Sequence, residues 1–411
     1  MTLRGMTYML LIIISCLLVL IALLVAGRLD WPIQTVIDRL QNVSELRGAK
    51  VDNLPPDQSD QPFFSATYLT AKKRFVESAQ TAGAKLSRLN LSERGPDNEE
   101  LTIDIAWFGH PKPKRALVHV SGVHGVEGFA GAAIQLKLLG ELPKLPADSA
   151  IIFVHILNPY GMAWLRRYNE SSVDLNRNFR FKSEDWIEDT SFYSKLDKLL
   201  NPKAYQIFDS FLLQAGIAIK KYGMDRLRNT IPIGQNFNPK GLFYYGSHLE
   251  QGPQLYHAWV SESLASLKYL MVIDVHTGLG QRGQESLFHK STSTNSAFLS
   301  KQLKKTLIAD YAESGAMAYA FKGGHVEAYN QLDTDCSIDF IAQEFGTYPN
   351  IYVLQALRDE NRAHFLGQTE LNSREKQRLK EAFNPQVPEW QSKIVEDGVA
   401  LFTRSAEWFF K

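Results

Sequence analysis

Two short apolar runs, RALVHVS and SAIIFVH, each give way abruptly to glycine and polar residues, in SGVHG and ILNPYG respectively. Runs that are apolar on both faces suit the central strands of a mostly parallel sheet, because helices cover both of its sides. Between them GFAGAAIQLKLLGEL carries its apolar residues at helical spacing, so the segment predicts strand, helix, strand. Upstream, residues 66–82 read as a helix and LTIDIAWFGH as an alternating strand. Downstream, YLMVIDVHTGLG and SIDFIAQEFGTYPN repeat the theme of a buried strand ending in a polar residue and a glycine. The fold class predicted is α/β, a three-layer α-β-α sandwich around a mixed, mostly parallel sheet. Ligands in such sheets bind outside the carboxyl ends of the strands. The four strand ends carrying His124, Asn158, His276 and Glu344 should therefore converge.

Elsewhere the pattern is looser. Residues 181–262 mix aromatic and charged segments, including NPKGLFYYGSH, and predict a loop-rich insertion or a lid over the crevice. Beyond residue 350 the helical spacing returns in VLQALRDENRAHFLG and VPEWQSKIVEDGVALFTRSAEWFFK. At the other end, residues 7–27 hold no charge over a length that suffices for a helix to cross a bilayer core, about 20 residues. The expected organisation is a membrane anchor or signal segment at 1–28, a polar spacer with Pro55-Pro56 at 29–61, and one globular domain at 62–411. Arg4 ahead of the apolar run favours a cytoplasmic N-terminus, with the domain outside, in the periplasm or at the cell surface.

Bulk composition changes this picture little. With 411 residues, 45% of them hydrophobic, the chain can bury a full core. Its net charge of +1 offers no field to draw in nucleic acid. Of the two cysteines, Cys16 lies in the apolar run, which leaves Cys336 without an intradomain partner for a disulfide. No GxSxG and no Walker-type phosphate loop occurs.

The candidate chemistry lies at the strand ends. His124 and Glu127 stand three positions apart on a glycine-rich turn and can face one point. Zinc in a hydrolase wants three protein ligands and an open position for water, and His276 offers the third. Asp274, two residues before it on the same strand face, can orient the His276 ring. Between these motifs, Arg166, Arg167, Asn176 and Arg177 read either as a solvated charged loop or as recognition of a carboxylate, for which a guanidinium fork is suited. Glu344 ends an apolar strand, where desolvation would lift its pKa toward that of a general base, or where an arginine could neutralise it.

HGVEG, then NPYG followed by DLNRNF, then DVHTG, then QEFGT, in this order, resemble the zinc carboxypeptidase superfamily, which includes the aspartoacylase and succinylglutamate desuccinylase deacylases. A bacterial carboxypeptidase-like branch of unknown function is the most similar part of it. The resemblance implies one zinc ion per chain held by His124, Glu127 and His276, with Glu344 as the catalytic glutamate. It also implies that Asn176 and Arg177 grip a substrate carboxylate, while Arg167, or alternatively Arg166, polarises the scissile carbonyl. A mobile tyrosine of the family corresponds to Tyr319 in YAFKGGHVEAYNQ, although its distance from the glutamate differs. The implied activity is metallocarboxypeptidase-like hydrolysis of a peptide with a free carboxylate. N-acyl amino acid deacylation is the alternative, favoured by the short spacing from the arginine pair to Asn176, and a non-catalytic binding module is a third.

Overall fold

The chain divides into two units, Met1–Pro56 and Asp57–Lys411. The computed structural model describes residues 62–205, 209–291, 307–310, 322–330, 332 and 336–411, all within the second unit. The expected anchor and spacer, and Tyr319, lie outside the described residues. No helix among the described residues is long and apolar enough to cross a membrane.

The elements run α1 (Tyr68–Thr81), β1 (Lys85–Arg94), β2 (Glu100–Gly109), β3 (Arg115–Ser121), α2 (Gly128–Leu139), β4 (Ser149–His155) and α3 (Pro159–Ala163). There follow α4 (Ser191–Leu200), α5 (Phe211–Tyr222), α6 (Met224–Thr230), α7 (Gln251–Ser263), β5 (Tyr269–Thr277), β6 (Glu285–Ser291), β7 (Leu307–Asp310) and β8 (Ser337–Phe345). Three helices close the chain: α8 (Asn350–Phe365), α9 (Arg374–Phe383) and α10 (Pro388–Phe409).

One eight-stranded sheet has the order β1-β2-β4-β3-β5-β8-β6-β7. The pairs β3–β4, β3–β5, β5–β8 and β6–β7 are parallel and the others antiparallel, so the sheet is mixed with a parallel centre. Every residue of β4 is buried, as are all of β3 and β5 except their first residues, which is why their sequences are apolar without alternation. On one face Phe75 of α1, Ile134 of α2 and Phe402 of α10 join Leu117, Ile151 and Ile273 in one core. On the other, Tyr256 and Val260 of α7 pack with Val118, Ile152 and Val272, giving the three layers.

Local chemistry explains the helix starts. Thr67 caps α1 by accepting from the backbone of Thr70 at 3.2 Å, and Asn158 caps α3 by accepting from Gly161 N at 2.9 Å, with Pro159 at the first helical position. The Asn158 side chain is thereby engaged with backbone, while its backbone N–H donates to Gly122 O at 2.7 Å beside the end of β3.

The region expected to be loop-rich contains α4, α5, α6 and α7. Two of these helices each bury a narrow stripe, Phe192, Leu196 and Leu200 in α4 and Phe211, Ala215 and Ala218 in α5, while Leu212, Leu213 and Ile217 of α5 remain exposed and blur the pattern. Strand β1 was hidden by its composition, since KLSRLNLSER is an edge strand with only partly buried leucines.

Candidate metal centre

Strand β3 ends at Ser121, and the chain enters a short 3₁₀ turn, Gly125–Glu127, before α2 begins. His124 stands immediately before this turn and Glu127 closes it. The turn lies flat against α3: a Cβ added at Gly125 would sit 2.0 Å from the Gly161 carbonyl carbon, so no larger residue fits there. His276 comes from the end of β5, whose neighbour is β3.

Ligand atoms of His124, Glu127 and His276 all lie within 4.8 Å of one another, and all three residues are buried. His124 Nδ1 is 2.9 Å from Glu127 Oε1, and His276 Nδ1 is 3.0 Å from Glu127 Oε2. The opposite ring nitrogens meet carboxylates, His124 Nε2 at 3.1 Å from Asp174 Oδ1 and His276 Nε2 at 3.0 Å from Asp274 Oδ2.

The protonation states follow from the environment. Burial works to raise Glu127, but the imidazoles of His124 and His276 and the Arg167 guanidinium override it and hold the carboxyl below its usual range. Asp174 is likewise buried and yet held well down, by Arg167, Arg177 and His124, and Asp274 by His276 and His325. Ionised carboxylates only accept hydrogen bonds. Both ring nitrogens of His276 face ionised carboxylates, and although burial opposes it, Asp274 and Glu127 hold the imidazole well above its usual range. His124 Nε2 also lies 2.8 Å from Arg167 Nη2.

His124 Nδ1 is buried and has no hydrogen-bond partner, despite the carboxylate oxygen 2.9 Å away. A buried ring nitrogen left without a partner is costly unless an ion fills the space before it. Two imidazole nitrogens and a carboxylate, each ring backed by a further carboxylate, match the donor set of a catalytic zinc site. The residues present fit the ion.

Arg167 borders this cluster. Its Nη1 donates to Glu127 Oε1 at 2.8 Å and its Nε to Asp174 Oδ2 at 3.2 Å, while its guanidinium carbon lies 5.7 Å and 5.9 Å from the ring centres of Phe243 and Phe383. Arg166 turns the other way, donating to Glu360, Ser172 and Asn361 with no exposure at all. The expectation that Arg166 touches substrate is corrected by this: consecutive side chains diverge, and the buried Glu360 carboxylate, shared with Lys376, claims it.

Glu344 stands beside His276 in the register of β5 and β8. Its Oε1 accepts from Leu279 N at 2.9 Å. Burial, and next the negative charge of Glu127, push its carboxyl from 4.5 up to about 8, against the opposing pull of His276 and Arg167.

Asn176 and Arg177 sit one shell further out. The Asn176 side-chain oxygen accepts from His325 N at 2.8 Å, and Arg177 donates through Nε to Pro232 O at 2.6 Å and through Nη1 to Asn176 O at 2.9 Å. Their link to the centre is Asp174, whose Oδ1 accepts from Asn176 N at 3.1 Å and lies 3.9 Å from Arg177 Nη1. Two participants escaped the sequence reading, Asp174 and His325. Asp174 opens the DLNRNF motif and His325 follows a Gly-Gly pair, and both signals were present without a partner to give them meaning.

The fold is similar to that of a candidate metallopeptidase from Shewanella amazonensis, at 14% identity over 72% of this chain and 91% of that one, with a TM-score of 0.41. It is similar to bovine thrombin-activatable fibrinolysis inhibitor, solved in complex with tick carboxypeptidase inhibitor, at 12% identity over 82% and 98% of the two chains, TM-score 0.43. An aspartoacylase family protein from Mesorhizobium loti matches at 16% identity over 71% and 69%, TM-score 0.30. No curated protein matches the sequence. Residues 64–397, most of the chain, match the family DUF2817, described as protein of unknown function, and the chain belongs to that family.

Proposed function

We propose that the protein is a zinc-dependent amide hydrolase of the carboxypeptidase type, acting on a peptide or N-acyl amino acid with a free carboxylate. The observation that carries this reading is the convergence of His124, Glu127 and His276 within 4.8 Å beside a glutamate whose carboxyl is lifted to about 8.

A zinc ion held by these three residues would lower the pKa of a water and polarise a carbonyl. Glu344 takes the proton of the attacking water, since its raised affinity for protons suits a base working near neutrality. The same carboxyl then hands that proton to the departing amine, so the step is balanced. Arg167, held rigid by Glu127 and Asp174, supplies positive charge beside the carbonyl oxygen as negative charge develops there. Asn176 and Arg177 orient the substrate carboxylate. Tyr319 is the candidate for a further group over the site, and residues 7–27 would tether the enzyme to a membrane with the catalytic unit outside the cytoplasm.

Metal analysis of the purified protein, with a screen of free and blocked C-terminal peptides against N-acyl amino acids, tests the proposal. About one zinc per chain and cleavage restricted to substrates with a free carboxylate are expected. Absence of any zinc binding would overturn it.

A further inference from the structure

His325 is 1% exposed and turns its Nδ1 toward Asp274, the carboxylate behind the candidate ligand His276. Other buried histidines have local roles: His119 and His155 share the Gln135 amide, and His289 pairs with Asp339. His325 differs because the carboxylate it meets also receives a candidate metal ligand. Its Nδ1 lies 3.0 Å from Asp274 Oδ2, the same oxygen that His276 Nε2 approaches at 3.0 Å.

We propose that His325 is a positioning residue for the metal centre: it fixes the Asp274 carboxylate, and through it the His276 ring, while its backbone N–H fixes the Asn176 amide.

The tautomer is determined by the neighbours. The Tyr329 hydroxyl lies 3.3 Å from His325 Nε2 and can donate to it, which leaves the proton on Nδ1 for Asp274. Phe179, Tyr256, Tyr329 and Phe340 surround the ring, with centres 5.3, 5.4, 5.3 and 5.7 Å away, so it has little freedom to turn. Asp274 Oδ1 has no hydrogen-bond partner among the described residues, so the two imidazoles alone orient the carboxylate. Without His325, Asp274 would be held only by the ring it is meant to hold.

The backbone delivers His325 with equal care. Gly323 has φ of +71°, and a Cβ there would lie 2.4 Å from Arg177 O. The chain lies on the Arg177 segment at this glycine, with Phe179 N donating to Gly323 O at 3.0 Å, and two residues later His325 N meets Asn176. One residue thus ties the carboxylate behind a metal ligand to the motif assigned to substrate.

The inference rests on the metal-centre reading, and its test separates the two. Zinc affinity is measured for the full chain by competition with a chromophoric chelator, together with the visible spectrum of the cobalt-substituted protein. Loss of such an outer partner typically weakens metal binding about 10–100-fold. His325→Ala is expected to bind zinc at least about 10-fold more weakly and to shift the cobalt bands. His325→Asn, whose amide nitrogen can donate from near the position of Nδ1, is expected to restore most of the affinity and the wild-type spectrum. If His325→Ala fails to fold, His325→Leu, which fills the space without a donor, is judged by the same criteria in its place. Wild-type affinity and spectrum in His325→Ala, or an Asn variant that folds and yet binds as weakly as the Ala variant, would overturn the proposal. A wild-type chain that binds no zinc would instead remove the metal centre itself, and this proposal with it.

Discussion

His276 and Glu344 are paired residues across the parallel β5–β8 ladder, so their side chains leave the sheet on the same side at the same level. That pairing sets a candidate metal ligand beside a carboxyl that resists ionisation, and the two properties can be separated by substitution.

Glu344→Gln keeps the shape of the side chain and its acceptor for Leu279 N while removing the base. Turnover should fall by about 10²–10⁴-fold, the usual contribution of a positioned proton acceptor. Zinc content should stay at the wild-type ratio. Near-normal hydrolysis by this variant would show that another group moves the proton.

The lifted carboxyl also predicts a pH signature in the metal-free protein. Its folded value of about 8 lies above the ordinary 4.5, so the folded state binds the proton more tightly than the unfolded chain does. Glu344 therefore costs stability as pH rises from 4.5 to about 8, and costs nothing below that window. Urea melts of metal-free wild type and Glu344→Gln across this range should diverge, the wild type losing ground as pH increases. Parallel curves would contradict the assignment.

Arg166 and Glu360 are a buried pair with side-chain exposures of 0% and 1%. Replacing Glu360 with Ala leaves both Arg166 and Lys376 without their shared carboxylate, and should destabilise the protein by about 3–5 kcal/mol. Zinc affinity of the folded fraction should change little, because Arg166 faces away from the metal ligands. A large loss of affinity without loss of stability would return Arg166 to the site.

Gly125→Ala should be more damaging than its size suggests. The new methyl would meet backbone atoms of Gly161, which cannot move aside as a flexible side chain could. The 3₁₀ turn must shift, and with it His124 and Glu127. Reduced zinc binding together with a lower melting temperature is the expected result, and wild-type values for both would refute it.

The sheet and the convergence of His124, Glu127 and His276 were legible because each rests on a local pattern. Strands β3, β4 and β5 are apolar on both faces, and the polar residues that break those runs are the ones that leave the core. The partners behind the ligands were not legible in the same way. Asp174 and His325 acquire their roles only from neighbours brought by the sheet, and Asn158, one of the four strand-end residues expected to converge, serves to cap α3. The arginine pair could not be resolved from sequence, since only the fold reveals that Glu360, far along the chain, captures Arg166 and leaves Arg167 facing Glu127 and His124. Residues 181–262 appeared loop-rich because their helices are short and separated by irregular segments, and because exposed apolar residues of α5 blur its buried stripe.

Glu127 and His276 are separated by 149 positions, and strands β3 and β5 must pair before they meet. Contacts of such high sequence separation form late, after the entropy of closing a long loop has been overcome. A nascent chain emerging from the ribosome thus presents His124 and Glu127 as a two-ligand fragment with poor grip on any ion. An ion bound by all three residues would meet its full donor set only after the sheet has closed, and would then tighten a scaffold built by the hydrophobic core rather than template it.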